Sequence, residues 1–488
     1  MEMGREFPAE KTMIGLVAND DRYDYDIRTL LQAFFDNEKI VADTANVRMV
    51  FKVTFHEDKE HCILFTSPEG KVYERHFSGN YKDKMQLRNV VKNVVYDILC
   101  EYTGHTLPWG TLTGIRPVKI ITRLLEEGMS SKAAKQHFLS AYQTTEQKAD
   151  ISLRVALREQ SVLKDIAYEN QYSLYIGIPF CPSRCLYCSF TSFPIKLYES
   201  MVEDYLTALF LEIDFASHAM RGRQLVSIYI GGGTPTSLSA SQLERLLKKV
   251  EESFCLEDVR EFTVEAGRPD SITLEKLQVL YHSPVTRISI NPQTMNDKTL
   301  ELIGRAHTVE QVKRAYVLAR EVGFDNVNMD LIMGLPGETM TEVSHTLSEI
   351  SRLKPDNLTI HSLAMKRASN LNIMKEQYEG MLYGTTDEML RRADQVAEEL
   401  SMQPYYLYRQ KNIPGNFENI GYSIPGKEGI YNILIMEEKH TILALGAGAS
   451  SKYVYSSEDR IERTENVKDV KLYIERIEEM IERKRSML

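Results

Sequence analysis

Two hydrophobic patterns divide the chain near residue 168. Before this point, short runs rich in β-branched and aromatic residues indicate strands, and longer amphipathic segments indicate helices. Strands are predicted at residues 47–55, 62–66 and 71–77, and helices at residues 84–102, 130–141 and 145–168. We therefore predict a separate α+β domain over residues 1–168.

From residue 172 the pattern changes to strands that alternate with helices. Strands are predicted at residues 173–178, 226–230, 261–265, 287–291, 326–329 and 357–361, and the helices between them include residues 198–220, 239–254, 309–322 and 340–353. Six such units predict an α/β domain over residues 169–365, with a parallel sheet that is flat or curved into a partial barrel. In such domains the chemistry collects at the carboxyl ends of the strands.

Residues 366–488 lack this alternation and are predicted to form an α+β extension. A helix is expected at residues 387–402, strands at residues 405–408, 431–436 and 442–445, and a charged amphipathic helix at residues 465–488.

Composition narrows the class of protein. A chain of 488 residues suggests two or three domains, and 43% hydrophobic with 26% charged residues is ordinary for a globular protein. The net charge of −10 does not favour non-specific binding to nucleic acid. The sequence has no apolar run long enough to span a bilayer and no export signal at its start, so a cytoplasmic protein without a membrane span is expected.

Three cysteines follow the strand predicted at residues 173–178. Cys181, Cys185 and Cys188 have CxxxCxxC spacing, which lets a short loop hold three irons of a [4Fe–4S] cluster and leaves the fourth iron without a protein ligand. An open iron can bind S-adenosylmethionine (SAM) and pass it an electron, and reductive cleavage of SAM gives a 5′-deoxyadenosyl radical. The alternative is half of a zinc site, although zinc sites usually use CxxC pairs and need a fourth ligand.

Glycines and polar residues follow the other predicted strands. Gly231, Gly232 and Gly233 permit close approach of the backbone to a ligand, here the methionine amino group of SAM. Groups that suit the ammonium, ribose and carboxylate of SAM lie at or just beyond later strands, at Glu265, Gln293, Arg305 and Asp330. Each alone reads as an ordinary strand-end polar group, but together they predict a ring of SAM contacts. Basic residues that could face an acidic substrate are Arg116, Lys119, Arg268, Lys366, Arg367, Arg409 and Lys411.

These motifs resemble those of radical SAM enzymes of the oxygen-independent coproporphyrinogen III oxidase family. The resemblance runs from Tyr172 to about Tyr455 and rests on the segments Tyr175-Ile-Gly-Ile-Pro-Phe-Cys, Gly231-Gly-Gly-Thr-Pro-Thr, Thr263-Val-Glu-Ala, Gly304-Arg-Ala-His and Asp330-Leu-Ile-Met-Gly-Leu-Pro-Gly. The segment Leu107-Pro-Trp-Gly-Thr-Leu-Thr-Gly-Ile-Arg-Pro looks like the HemZ branch, the coproporphyrinogen dehydrogenases.

The resemblance implies a (β/α)6 partial barrel, a [4Fe–4S] cluster and two bound SAM molecules. Positions that match contacts to the cluster-bound SAM are Tyr175, Gly233 and Glu265. Positions that match contacts to the second SAM are Tyr187, Thr234, Pro235, Gln293, Arg305, Asp330 and Ala364. The implied reaction is oxidative decarboxylation of coproporphyrinogen III propionates to vinyl groups, supplied with electrons by a low-potential donor such as flavodoxin or ferredoxin.

Two positions differ from the family's pattern. Gly177 stands where the family usually has histidine, and Phe190 stands where the oxidase proper has a further cysteine. In the second respect the loop looks like the HemW branch of haem chaperones. The alternatives are therefore a haem-binding chaperone and a radical SAM enzyme that modifies haem or opens its ring, so the tetrapyrrole partner is coproporphyrinogen III or haem.

Overall fold

The structure is a computed structural model that describes residues 13–35, 38–56, 60–80, 83–114, 116–364, 369–373, 384–410, 414–455, 458 and 460–488. The chain divides into two compact units, one formed by Met1–Leu153 with Arg409–Phe417 and the other by Arg154–Tyr408 with Glu418–Leu488. Across the described segments, no helix combines the length and apolar character that a bilayer crossing requires.

The first unit contains a five-stranded sheet with the order β2-β1-β3-β4-β5. Its strands are β1 Met13–Ala18, β2 Lys39–Val41, β3 Met49–Thr54, β4 His61–Thr66 and β5 Val72–Phe77. The helices from this part of the chain are α1 Asp24–Phe34, α2 Lys84–Thr103, α3 Val118–Glu126, α4 Ser131–Tyr142 and α5 Glu146–Leu163. Burial alternates along β4, because α1 and α2 cover one face of the sheet and form its core with residues such as Phe51 and Phe65.

The second unit is built on a sheet of eleven strands. Its strands, together with a two-stranded ladder of β7 and β8, are β6 Gln171–Ile178, β7 Phe180–Cys181, β8 Phe193–Pro194, β9 Gln224–Gly232, β10 Glu261–Gly267, β11 Arg287–Ile290, β12 Val327–Met333, β13 Asn357–Ser362, β14 Gln403–Arg409, β15 Glu418–Ser423, β16 Thr441–Leu445, β17 Ser450–Tyr455 and β18 Arg460–Glu465. The helices are α6 Ile195–Tyr198, α7 Val202–Ala219, α8 Ala240–Ser253, α9 Leu274–Tyr281, α10 Asp297–Leu302, α11 Val309–Val322, α12 Met340–Leu353, α13 Asn370–Ile373, α14 Asp387–Glu399, α15 Ile430–Glu437, α16 Val470–Glu475 and α17 Ile477–Arg485.

The sheet order is β14-β15-β13-β12-β11-β10-β9-β6-β16-β17-β18. Strands β6, β9, β10, β11, β12 and β13 run parallel, and β16 joins them on the free side of β6, also in parallel. Their side chains are buried almost without interruption, as expected for parallel strands covered on both faces. Strands from the last quarter of the chain thus extend the sheet at both edges.

Two local predictions for this last part are wrong. Residues 431–436, predicted as a strand, form most of helix α15, because a fully buried apolar run has the same sequence pattern in either state. The single helix predicted for residues 465–488 is instead the end of β18 followed by α16 and α17, with a break at Arg476.

A buried ionic network fixes the last helix to the turn that follows β16. Lys484 and Glu212 are both fully buried, with 2.7 Å between the Lys484 Nζ and Glu212 Oε1 atoms. The same carboxylate accepts hydrogen bonds from the Asn466 amide (2.8 Å), the Tyr473 hydroxyl (2.6 Å) and the backbone N–H of Gly446 (2.8 Å). Because all of these partners satisfy the Glu212 charge, the pair is held without an unpaired buried ion.

Candidate active site

The three cysteines lie in a loop that leaves the carboxyl end of β6. Cys181 and Cys185 are buried and Cys188 is half-buried. The loop is attached to neighbouring elements through its backbone, because the Leu186 N–H donates to the carbonyl of Ile303 (2.9 Å) and the Leu186 carbonyl accepts from the N–H of Leu371 (2.9 Å). The thiols therefore sit on a fixed loop at the end of the sheet where parallel α/β domains place their chemistry.

Arg268, which follows β10, braces this loop. Its Nη1 atom donates to the carbonyl and the hydroxyl of Ser183 (3.0 and 2.7 Å) and lies 3.9 Å from the Cys185 Sγ atom. Asp270 accepts from both sides of the guanidinium, at 3.0 and 2.8 Å. The Arg268 side chain is 3% exposed and faces the cysteines. Its positive charge therefore stabilises anionic thiolates, and its burial argues against a solvent-exposed contact with substrate.

The donor set fits an iron–sulfur cluster. Three thiols from one short loop are soft ligands of the kind that such clusters take. Burial raises the pKa of the Cys181 thiol to about 11 and also raises the pKa of Cys188. Iron must therefore displace protons from these thiols when it binds.

The glycine turn after β9 packs directly against the segment that precedes Cys181. The N–H groups of Gly233 and Thr234 donate to the carbonyls of Ile178 and Phe180, each at 2.7 Å. A Cβ atom on Gly233 would lie 2.5 Å from the Phe180 oxygen, and Gly232 has a φ of +104°, so only glycine fits these two positions. The Thr234 hydroxyl lies 3.4 Å from the Cys181 Sγ atom.

A cavity of about 300 Å³ adjoins the cysteine loop. Tyr175 and Gly232 line one part of it, and the turn from Ala447 to Ser450 lines another. Its volume is at the lower end of the range for small-molecule sites. Gly177 and Phe190, the two departures from the family pattern, also line this cavity.

Glu265 lies beside the glycine turn at the end of β10. Its carboxyl carbon would be 3.2 Å from a Cβ atom on Gly231, and it accepts a short hydrogen bond from the Tyr229 hydroxyl. Burial raises the pKa of Glu265 to about 7, against the opposing effect of the Tyr229 hydrogen bond. A carboxyl group whose pKa is near neutral can bind an ammonium group once the carboxyl group has lost its proton.

Three tyrosine rings stack next to this carboxyl group. The ring centroids of Tyr229 and Tyr431 are 4.7 Å apart, and Tyr175 lies 6.2 Å from each of them. Sequence reasoning missed Tyr229 and Tyr431. Tyr229 could have been found from strand alternation, since it stands two residues before Gly231 and pairs with Tyr175 in the sheet register.

Replacing Tyr229 with phenylalanine is expected to shift the pH dependence of SAM binding. The change keeps the ring but removes the hydrogen bond that holds the pKa of Glu265 down, so the binding midpoint should move upward by roughly half to one pH unit. Equilibrium dialysis of SAM across a pH series measures this midpoint. Tyr431→Phe is the matched control, because it leaves the Tyr229–Glu265 bond in place, and an equal shift in both variants would contradict this role for Tyr229.

A second group of predicted residues lies just beyond the end of β11 and along β12. Asp330, predicted at the end of a strand, is in the middle of β12, because that strand continues to Met333. The Arg305 Nε atom donates to the Tyr187 hydroxyl (3.3 Å), and its Nη1 atom donates to the carbonyl of Asn291 (2.7 Å). Gln293 has a φ of +69°, and its N–H donates to the carbonyl of Asp330 (2.9 Å). These contacts connect the cysteine loop, through Tyr187 and Arg305, with the end of β11, and Gln293 connects the segment after β11 with the middle of β12.

Asp330 is ionised by its surroundings. Burial alone would raise its pKa, but His361, whose Nε2 atom is 3.9 Å from the carboxylate, and the Asn328 amide, at 2.7 Å, together hold it below its usual value. Pro235 is buried at the start of the turn Pro235–Ser237, and Ala364 follows β13 in a partly exposed position.

The remaining basic candidates belong to the first unit or lie outside the described residues. Arg116, Lys119 and Arg409 belong to the first unit, where the Arg409 guanidinium stacks 5.2 Å from the Trp109 ring and donates to the carbonyl of Leu112 (2.8 Å). Lys366, Arg367 and Lys411 lie outside the described residues.

Several known proteins are similar to this chain in sequence and in fold. The model of the Radical SAM superfamily matches residues 175–350. The oxygen-independent coproporphyrinogen-III oxidase-like protein HemZ of Bacillus subtilis is 38% identical over 96% of this chain and 95% of its own length. The haem chaperone HemW of Lactococcus lactis is 36% identical over 57% of this chain and 69% of its own length.

A solved structure gives the same picture of the fold. Coproporphyrinogen III oxidase (HemN) from Escherichia coli, described as a radical SAM enzyme, superposes with a TM-score of 0.51. It is 24% identical and the match covers 66% of this chain and 73% of that chain. This likeness confirms the predicted α/β class, a partial barrel of the radical SAM type.

Proposed function

Because the chain belongs to the HemZ branch of the oxygen-independent coproporphyrinogen III oxidase family, within the radical SAM superfamily, we propose that it oxidatively decarboxylates coproporphyrinogen III. Two propionates would become vinyl groups, giving protoporphyrinogen IX. The observation that carries this proposal is the fixed loop of Cys181, Cys185 and Cys188, packed against the Gly233 turn. The family uses a [4Fe–4S] cluster and SAM, and these residues fit both.

When bound, the cluster and SAM supply a 5′-deoxyadenosyl radical that takes a hydrogen atom from the substrate side chain. The chain's own residues bind the cluster and SAM and orient them. We assign the thiols of the loop to the cluster, and Tyr175, Gly232, Gly233 and Glu265 to the cluster-bound SAM. Ionised Glu265 would pair with the ammonium group of SAM, and the backbone of the glycine turn would meet the same end of the ligand.

We assign a second SAM to the group that joins the cysteine loop to β11 and β12. In this proposal Arg305 binds its carboxylate and Asp330, already ionised, binds its ribose hydroxyls. The further contacts are Tyr187, Thr234, Pro235, Gln293 and Ala364. The direct Arg305–Tyr187 hydrogen bond supports this assignment, since it places a cation next to the loop that carries the cluster.

The proposed setting follows from the chemistry. A thiolate cluster needs a reducing compartment, so the protein would act in the cytoplasm. SAM cleavage consumes an electron at low potential, and flavodoxin or ferredoxin is the class of donor that would supply it.

Anaerobic product analysis tests the substrate. The cluster-reconstituted protein is incubated with SAM and a reductant, with coproporphyrinogen III and haem offered side by side, and products are identified by mass spectrometry. We expect successive loss of two carboxyl groups from the porphyrinogen, matched by 5′-deoxyadenosine. Formation of 5′-deoxyadenosine with no decarboxylated porphyrinogen would show that coproporphyrinogen III is not the substrate.

A haem chaperone is the second candidate. Phe190 takes the place of a cysteine of the oxidase proper, and it is exposed at the edge of the cavity, as it would be in a surface that accepts a flat apolar ring. In the same experiment, stoichiometric haem binding without porphyrinogen turnover would select this function. Conversion of haem to a linear tetrapyrrole would select ring opening instead.

A further inference from the structure

The outer face of the sheet in the first unit carries three metal-binding side chains. Cys62 of β4 stands directly opposite His76 of β5, and Glu74 is two residues before His76, so all three point to the same face. Each offers one ligand atom, and these three atoms lie within 4.8 Å of one another. We propose that Cys62, Glu74 and His76 bind Zn²⁺, with the fourth position open to water.

The separations are close to those around a tetrahedral ion, although the His76–Glu74 hydrogen bond must open slightly for the metal to bind. Zinc bonds of about 2.0–2.3 Å at tetrahedral angles put neighbouring ligand atoms about 3.3–3.8 Å apart. The Cys62 Sγ and Glu74 Oε1 atoms are 3.8 Å apart, and the His76 Nε2 and Glu74 Oε1 atoms are 2.9 Å apart. Only small side-chain rotations are therefore needed to place all three atoms on one metal ion.

The chemistry of the donors selects the metal. A thiolate, an imidazole and a carboxylate form a borderline-soft set that suits zinc and excludes magnesium and calcium, which take oxygen ligands. An ordinary pair of Glu74 and His76 would need no thiol, yet Cys62 occupies the cross-strand position that completes the set. Glu74 and His76 are about half exposed, so a metal ion can enter and leave from solvent.

The site would secure the edge strand of the sheet. Among the described residues, strand β5 is the last strand in the order β2-β1-β3-β4-β5 and pairs with β4 on one side only. A zinc ion shared by β4 and β5 would link this edge strand to its neighbour through side chains as well as backbone. Zinc that binds only the folded sheet stabilises it by mass action.

Cobalt titration of the full-length protein tests the site. Co²⁺ is added under anaerobic conditions to protein whose cluster has been reconstituted, and the absorption spectrum is recorded. We expect one equivalent to bind with a thiolate-to-cobalt charge-transfer band and the intense visible bands of four-coordinate Co²⁺. Cys62→Ser should lose the charge-transfer band, whereas Cys255→Ser, which removes an exposed thiol elsewhere, should keep it.

Two further variants separate this site from the cysteine loop. His76→Gln and Glu74→Gln should each weaken Co²⁺ binding by more than about tenfold, since loss of even a second-shell partner costs that much. A variant with alanine at Cys181, Cys185 and Cys188 should keep the band. The proposal is overturned if the wild-type protein shows no such band, or if Cys62→Ser retains it while circular dichroism shows the fold intact.

Discussion

Alanine in place of Cys185 is expected to abolish both cluster assembly and SAM cleavage. Two remaining thiols cannot hold three irons, so no cluster with a single open iron can form. Arg268 would also lose the sulfur that its Nη1 atom faces at 3.9 Å. Iron and sulfide analysis, the EPR spectrum of the reduced protein and the yield of 5′-deoxyadenosine measure the effect, and activity should fall to that of a protein-free control.

Cys255→Ala is the matched control for this prediction, because it removes an exposed thiol outside the loop. It should retain the iron content and the EPR signal of the wild-type protein. If alanine at Cys181, Cys185 and Cys188 together left the cluster signal unchanged, the assignment of this loop would be wrong.

Glu265→Gln is expected to reduce SAM affinity strongly and to remove its pH dependence. Truncating one partner of a buried, hydrogen-bonded charge pair costs about 2–5 kcal/mol, which corresponds to a loss of roughly 30-fold or more. In the wild-type protein, a pKa of about 7 for Glu265 should make SAM bind roughly fivefold more weakly at pH 6 than at pH 7, a range in which the α-ammonium group of SAM stays largely protonated. Binding measured at both pH values checks this, and a pH dependence that persisted in Glu265→Gln would contradict it.

The same substitution should stabilise the protein without SAM. The folded-state pKa of Glu265, about 7, is raised above the unfolded value of 4.5, so the folded protein holds the proton more tightly between these values. The stability contribution is therefore present below pH 4.5 and is lost as the pH rises through 7. At pH 8 Glu265→Gln should unfold with a free energy up to about 3 kcal/mol higher than wild type.

Glu338→Gln is the control for the SAM affinity and for the free energy of unfolding of Glu265→Gln. Glu338 is also buried with a raised pKa, but Thr294 and Asn296 donate to its carboxylate and it lies outside the proposed SAM contacts. It should leave SAM affinity unchanged. A buried carboxyl group at the end of β10 that lowers stability as the pH rises through neutral is best explained by what it binds there.

Sequence patterns predicted those parts of the site that are formed by residues close together along the chain. The cysteine spacing and the glycine turn are each contained in a few residues, and alternating strands and helices predicted all six central parallel strands. The ring stack could not be predicted in full, because Tyr431 reaches Tyr229 only through helix α15, which packs against β9. Residues 431–436 were predicted as a strand, so their position could not follow from the sequence.

The sequence also did not predict which distant strands pair in the sheet. Strand β15 joins β13 in antiparallel orientation, and β16 joins β6 in parallel, although each pair is far apart along the chain. Strand patterns state that a segment is extended and which face is buried, but not which partner it takes. Arg268 illustrates the same gap at the level of a side chain. From its sequence position it was one of seven basic residues that could face an acidic substrate, and its hydrogen bonds show a brace for the cysteine loop.

The place of β6 between β9 and β16 has a consequence for biosynthesis of the protein. The strand that presents the cysteine loop, β6, is made long before β16, which is one of its two neighbours in the sheet. The turn after β16 is in turn held by Glu212 and Lys484, and Lys484 belongs to the final helix. Iron delivery to a finished site must therefore wait until the chain has been made at least as far as Lys484.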